Sequence, residues 1–316
     1  MLIMKRLTAL LLCLIMLFAL TACSKDESGL RKVTLNEVTR SVFYAPLYVA
    51  CSKGFFAEEG LEVDIVTGGG SDASMTALLS GKADHPMIIA QLTKRDGSFL
   101  LGREADDSFD FSKLKGKSII AGRPGGMPYM TLLYVLRQHG LEPGSDVEVI
   151  SNIQFNLMGG AFESGTGDYV TLFEPTASAF AAQGKGHIVT NMGLESGEVP
   201  YTTFMMRKDT IENEPGFAAA FVRAIYRAQK WVWAAGDEEV AYAMQSYFPD
   251  TDIATLSAVA KSYRATDSWT KVPTMTEDAF TRLQDILDGA GELAARIELS
   301  ELVDNSFGEA AISEIG

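Results

Sequence analysis

The sequence predicts an α/β protein made of two strand–helix units in tandem, closed by a helical C-terminal part. Three observations predict it. Alternating apolar stretches and helix-spaced stretches follow one another from residue 32 to residue 190. Glycine-rich turns stand at the ends of the predicted strands. After Met206 only helical spacing remains. A second α/β unit flanked by parts of a first is the pattern of a two-lobed, hinged protein.

The elements follow in order. Lys32 to Val38 alternates and reads as a strand. Ala45 to Phe56 is apolar at helical spacing, with Pro46 suited to the first turn. Leu61 to Thr67 is an alternating strand, broken by Gly68-Gly-Gly-Ser71 ahead of a helix over 72–80. Strands are predicted at 87–92, 98–101 and 118–121. Arg123 to Pro128 is a loop, and Tyr129 to His139 a helix. Then come a strand at 147–150, a helix at 157–162, a strand at 169–173, a helix at 175–183 and a strand at 187–190. Four consecutive helices close the chain, over 214–235, 237–248, 252–263 and 277–290, with Asp237 and Asp252 as N-caps. Trp231 and Trp233 read as packing residues.

Composition narrows the function. The 316 residues carry 27 Lys+Arg against 41 Asp+Glu, a net charge of −14, so nucleic acid is not an expected partner. A hydrophobic share of 47% is enough for a core and excludes global disorder. Three cysteines make no disulfide framework, and three separated histidines make no zinc motif. Gly-x-Ser-x-Gly, His-Glu-x-x-His and phosphate-loop motifs are absent, which speaks against an enzyme. Cys51 reads as a buried small hydrophobe.

The first residues read as an address. Lys5 and Arg6 precede an apolar run to Leu20, and Leu20-Thr-Ala-Cys23 follows. The run is short for a membrane span. The pattern resembles a bacterial lipobox, so residues 1–22 are expected to be a lipoprotein signal peptide. Cys23 then becomes the lipid-bearing, palmitoylated N-terminus, 23–31 a tether, and the protein extracytoplasmic at a membrane surface.

Ligands of α/β sheets bind outside the carboxyl ends of the strands. Here those ends carry Gly68 to Ser71, Arg123 to Gly126, Gln154-Phe155 and Glu174-Pro175. The amides of Gly69, Ser71, Gly125, Gly126 and Met127 could cradle an anion at a helix start, or the loops could be plain tight turns. Arg123 could add positive charge. Glu174 suits an amino-substituted or cationic group, or serves a helix N-terminus.

Several stretches carry a family resemblance. Phe43-Tyr-Ala-Pro-Leu-Tyr-Val-Ala50 with Lys53 to Val63, Ser80-Gly-Lys-Ala-Asp84, Gly165 to Ala177 and Glu198-Val-Pro-Tyr-Thr202 resemble the solute-binding proteins of ABC importers. The branch is the one with an NMT1-like, yeast-thiamine-synthesis-like domain, which includes nitrate, sulfonate, taurine and pyrimidine-precursor binders. The resemblance implies a type II periplasmic-binding-protein-like fold. Its first lobe would be 32–101 with 204–316, its second lobe 102–203, joined by two crossovers. It implies a monomer without cofactor or metal, closing on a small ligand for a permease and its ATPase. It places an aromatic ligand contact at Tyr44, with Gln154, Tyr201 and Thr202 as further candidates. An aminopyrimidine or thiamine precursor is favoured through Glu174 and Tyr44, with taurine, sulfonate and nitrate next. A sensory binding protein and a binding-impaired variant are the alternatives.

One departure from the family pattern stands out. The Gly-Lys-Ala-Asp84 turn should lead into a buried strand and then a helix. Here Asp84 runs into His85-Pro86, so roughly one strand and one crossover helix, about twenty residues, are missing from the first lobe.

Overall fold

A computed structural model describes residues 29–80 and 85–316. The expected signal peptide, Cys23, most of the tether and the 81–84 turn lie outside the described residues. Strand β1 (Arg31–Glu37) leads through a short turn into helices α1 (Ala45–Ser52) and α2 (Phe55–Glu58). The sequence predicts one helix here. Gly54, at φ +76°, ends the first helix and opens the second. Next come β2 (Leu61–Thr67), α3 (Ser71–Leu79), β3 (Pro86–Thr93), β4 (Ser98–Gly102) and β5 (Ser118–Ile120). They are followed by α4 (Met127–Gln138), β6 (Glu148–Ile150), α5 (Met158–Glu163), β7 (Tyr169–Phe173) and α6 (Thr176–Ala182). Then come β8 (His187–Asn191), α7 (Met192–Ser196) and β9 (Thr202–Arg207).

The helical part comprises α8 (Lys208–Asn213), α9 (Pro215–Ala234), α10 (Asp237–Met244), α11 (Ile253–Ala265), α12 (Glu277–Gly289), α13 (Leu299–Leu302) and α14 (Ser306–Ile315). Asp252 caps α11 as expected, accepting from the Thr255 amide at 2.8 Å. Asp237 does not cap α10. Gly236 holds that position, its amide donating to Glu239 at 2.8 Å, and the Asp237 carboxylate pairs with Arg264 instead. α7, β9, α8, α13 and α14 have no counterpart in the sequence prediction. Each is short or follows directly on another element.

One complete sheet forms, in the order β6-β5-β7-β4-β8. β5 lies parallel to β6 and β7, while β4 runs antiparallel to β7 and β8. Alternation along the strands loads both faces. Leu100 and Ile119 meet Leu132, Val135 and Leu136 of α4, and Leu101, Ile120, Val170 and Leu172 belong to the core that includes Met158, Phe162 and Ala177. The expected lobe boundary after Leu101 is therefore displaced. Ser98–Gly102 belongs to this second sheet, because its backbone pairs with 169–173 and 187–191.

The first lobe is divided. β1 pairs in parallel with β2, and β3 pairs antiparallel with β9, but no strand joins the two pairs among the described residues. α3 touches both β1 and β9. Helix α9 supplies most of the packing, burying Phe221, Val222, Ile225 and Val232 against α1, α2 and α14. Arg31, Lys32 and Thr34 of β1 stay exposed, and Val66 of β2 is 43% exposed.

This contrast yields a stability prediction. Leu101→Ala, fully buried in the five-stranded sheet, should lower unfolding free energy by about 3 kcal/mol. Leu35→Ala, half-buried on β1, should lower it by only about 1 kcal/mol. Urea midpoints of the two variants check this, and equal losses would contradict the peripheral placing of β1.

Candidate functional site

Two crossovers join the lobes, over residues 94–97 and 197–201, and they are tied together. The Val199 amide donates to the Lys94 carbonyl at 2.9 Å, and the Tyr201 amide to the Thr93 carbonyl at 3.2 Å. An aromatic group gathers on them. Phe43, 1% exposed, has ring centroids 5.1 Å from Tyr263, 5.7 Å from Phe173 and Tyr201, and 6.0 Å from Tyr44. Phe155 extends the group outward, 5.6 Å from Phe173 and 46% exposed. The buried Trp269 fixes Phe43 from behind, its indole N–H donating to the Phe43 carbonyl at 2.9 Å. A side chain at Gly97 would put its Cβ 2.5 Å from the Phe43 ring, so only glycine lets the ring lie on the crossover.

Tyr44 and Thr202 come together here. Burial and then the charge of Glu37 push the Tyr44 hydroxyl well above its ordinary range, while the Thr202 side chain offers it a hydrogen bond. Tyr201 sits on the crossover, its hydroxyl held far from ionising by burial and by Asp96.

Glu174 is also near, 4% exposed behind Phe173, but its carboxylate is engaged. It accepts from the Ser178 amide at 3.0 Å and the Ser178 hydroxyl at 2.7 Å, while its own amide donates to the Tyr263 hydroxyl at 3.1 Å. Ser178 is the third residue of α6, so Glu174 serves the free amides of that helix. This is the helix reading of Glu174 rather than the ligand reading.

The glycine loops are less available than expected. The amides of Gly68 and Gly69 donate to the carbonyls of Glu37 and Val38 at 2.7 and 3.1 Å, so the loop closes on β1. Ser71 opens α3 and is exposed. At the other loop, Gly126 donates to the Arg123 carbonyl at 3.1 Å, and Gly125 takes φ +77° in a tight turn. Arg123 is exposed there and has no ion pair among the described residues. Met127 packs with Met130, Val199 and Ile286, a cluster that Tyr201 of the aromatic group also joins. Gln154 is exposed beside Phe155. The structure thus gathers Tyr44, Glu174, Tyr201 and Thr202.

Sequence reasoning passed over two buried acids. Glu37 ends β1, 4% exposed, and accepts from Tyr48 at 2.7 Å, Thr67 at 2.8 Å and Arg40 at 2.7 Å. Arg40 also lies over the Tyr48 and Tyr247 rings. Asp96, on the first crossover, is 1% exposed and accepts from the Ser98 amide at 2.7 Å. Desolvation raises its carboxyl to about 6, partly offset by Ser98, Tyr201 and Thr131. A polar loop between two strands gave no sequence signal for this burial. Cys51 is half-buried, and burial raises its thiol to about 11, as suits a packing residue. Among the described residues no His, Cys, Asp and Glu group could hold a metal ion, and no helix is long and apolar enough to cross a membrane.

The chain matches the NMT1-like family over residues 87–246 and the NMT1/THI5-like description over 42–93. It is 43% identical to YtlA of Bacillus subtilis (strain 168), a chain that carries a binding-protein name, over 95% of each. The chain belongs to the NMT1-like family. Among solved structures, the periplasmic nitrate-binding protein NrtA from Synechocystis PCC 6803 superposes with a TM-score of 0.66 at 19% identity, over 90% of this chain and 89% of that one. The alkanesulfonate-binding protein SsuA from Xanthomonas axonopodis pv. citri, bound to MOPS, gives 0.67 at 15%, over 89% and 99%. The fold is that of the type II periplasmic binding proteins.

The engagement of Glu174 gives a prediction. Glu174→Ala should cost about 1 kcal/mol or more through the exposed amides of α6, and Glu174→Gln should recover part of it. Thermal midpoints at pH 7 measure this. Unchanged midpoints would show that the Ser178 contacts contribute nothing.

Proposed function

We propose that the chain is the extracytoplasmic solute-binding subunit of an ABC importer. It is held to the membrane through a lipid on Cys23 and works as a monomer with a separate permease and ATPase. A small solute binds between the lobes, which close on it without chemistry. Residues 29–93 with 202–316 form one lobe and 98–191 the other.

One observation carries the ligand class: the aromatic group at the crossovers is accompanied by buried acids. Glu37, Asp96 and Glu174 surround it, and the nearby Arg40 is taken up by Glu37. Such a surface favours a neutral or cationic planar solute over a bare anion. An aminopyrimidine of the thiamine-precursor type fits, stacked on Tyr44 and Phe155 with Tyr201, Thr202 and Gln154 as polar partners. Taurine, sulfonate and nitrate fit less well, although relatives carry nitrate- and sulfonate-binding names. The divided first lobe supports a second reading, a chain whose binding is weakened by its missing strand.

A thermal-shift screen separates these readings. Aminopyrimidines at a hundred times their dissociation constant should stabilise by about 2.7 kcal/mol, with nitrate, taurine and alkanesulfonates silent. Tyr44→Ala should remove the response. A shift with sulfonate alone would overturn the ligand class, and a melt unmoved by every solute would favour the weakened chain. For the anchor, Cys23→Ala should move the protein from the membrane fraction to the soluble fraction or block its maturation. A processed, membrane-bound variant would refute the lipid assignment.

A further inference from the structure

Helix α12 belongs by sequence to the first lobe, yet it lies against both. Near its start Phe280, 2% exposed, packs with Met275, Val303 and Ile88 of β3. Near its end the fully buried Ile286 packs with Met130 of α4 and with Val199 of the second crossover. Leu283, between them, packs against both clusters. The polar contacts divide in the same way. Arg282 donates to the Glu198 carbonyl on the second crossover. Arg137, in the last turn of α4, donates to the carbonyl of Gly289, the last residue of α12. It thereby serves a carbonyl that the helix itself leaves free.

The two ends are not held alike. At the start, the Met275 amide donates to the Asn305 side chain at 2.9 Å, and that side chain donates back to the Met275 carbonyl at 2.8 Å. The Gln91 amide of β3 donates to the Pro273 carbonyl at 2.7 Å. The approach to α12 is thus bound into the first lobe by its backbone. At the far end, α4 holds α12 by side-chain packing and by Arg137. Between them the helix is a rod. Residues 277–288 contain neither proline nor glycine, so nothing in the sequence invites a kink. Phe280 and Ile286 stand about 9 Å apart along it. Lobes that turned about the crossovers alone would carry β3 one way and α4 the other, and a straight helix follows only one of them.

We infer that α12 is a strap between the lobes, anchored in the first by its start and fastened to the second by the seam of Ile286 and Leu287 against α4. The seam is the end that gives way, so it sets how far the ligand-free chain opens. This inference rests on the two-lobed closing reading but not on the identity of the solute.

Small-angle scattering of the ligand-free full chain tests it. Ile286→Ala thins the seam, and Arg137→Ala frees the end of the helix. Each should raise the radius of gyration above the parent's by about 1 Å, against about 20 Å for a compact chain of this length. Leu132→Ala is the control. It truncates an equally buried side chain of α4 that packs with the second sheet rather than with α12, and it should keep the parent radius. If Ile286→Ala does not fold, Arg137→Ala, a change at a surface side chain, stands as the test. The parent radius in every folded seam variant would overturn the inference. An equal rise in Leu132→Ala would overturn it too, as a mark of general loosening. Because no solute is present, such a failure is distinct from a silent solute screen.

Discussion

The contact of the Phe43 ring with the bare backbone of Gly97 underlies the arrangement between the lobes. Phe43 comes from the turn after β1, Gly97 from the first crossover, and Trp269 from the loop after α11. Three distant parts of the chain therefore meet at one ring. The ring then carries Phe173 and Tyr201 on its edges. A methyl group on residue 97 would push the ring off the crossover, and every aromatic placed against it would follow. Close packing makes such a shift expensive, since interiors hold few voids that could absorb it.

In the first lobe no strand joins the two strand pairs among the described residues. Two strand pairs remain, each sound in its own hydrogen bonds, with α3 lying against both. The price is edge: among the described residues β1, β2, β3 and β9 each retain a side without a neighbouring strand, and such edges invite pairing with other chains. The exposed Arg31 and Lys32 at the start of β1 act against this, because charged side chains discourage edge-to-edge association.

Much of the fold was legible in the sequence. The strand at 61–67 and the strand at 169–173 end where alternation ends, because each is bounded by glycine, proline or charge. The site was legible only in part. Tyr44 and Thr202 were named from the family resemblance and the expected hinge, and the structure brings the two together. Glu174 was ambiguous, and the residue that resolved it was Ser178, four positions on and correctly spaced to present its amide. Asp96 and Glu37 were missed for a different reason. Each looks like an ordinary acid beside a turn, and only elements far along the chain bury it. For Arg123, a glycine turn next to an arginine says nothing about which way the turn faces.

The pairing of β3 with β9 bears on the order of assembly. The whole five-stranded sheet lies between these two strands in sequence, and each of its pairings closes within that segment. The second lobe can therefore fold while the first still lacks β9 and the long helix α9. Without the strand that would bridge β1 to the rest, the N-terminal pair has no sheet to join in that interval. Its fate rests on α9, whose arrival covers α1 and α2. For this chain the last third of the sequence acts as the template that the first third waits for, and a truncation there would strip the N-terminal strands of their packing while leaving the second sheet intact.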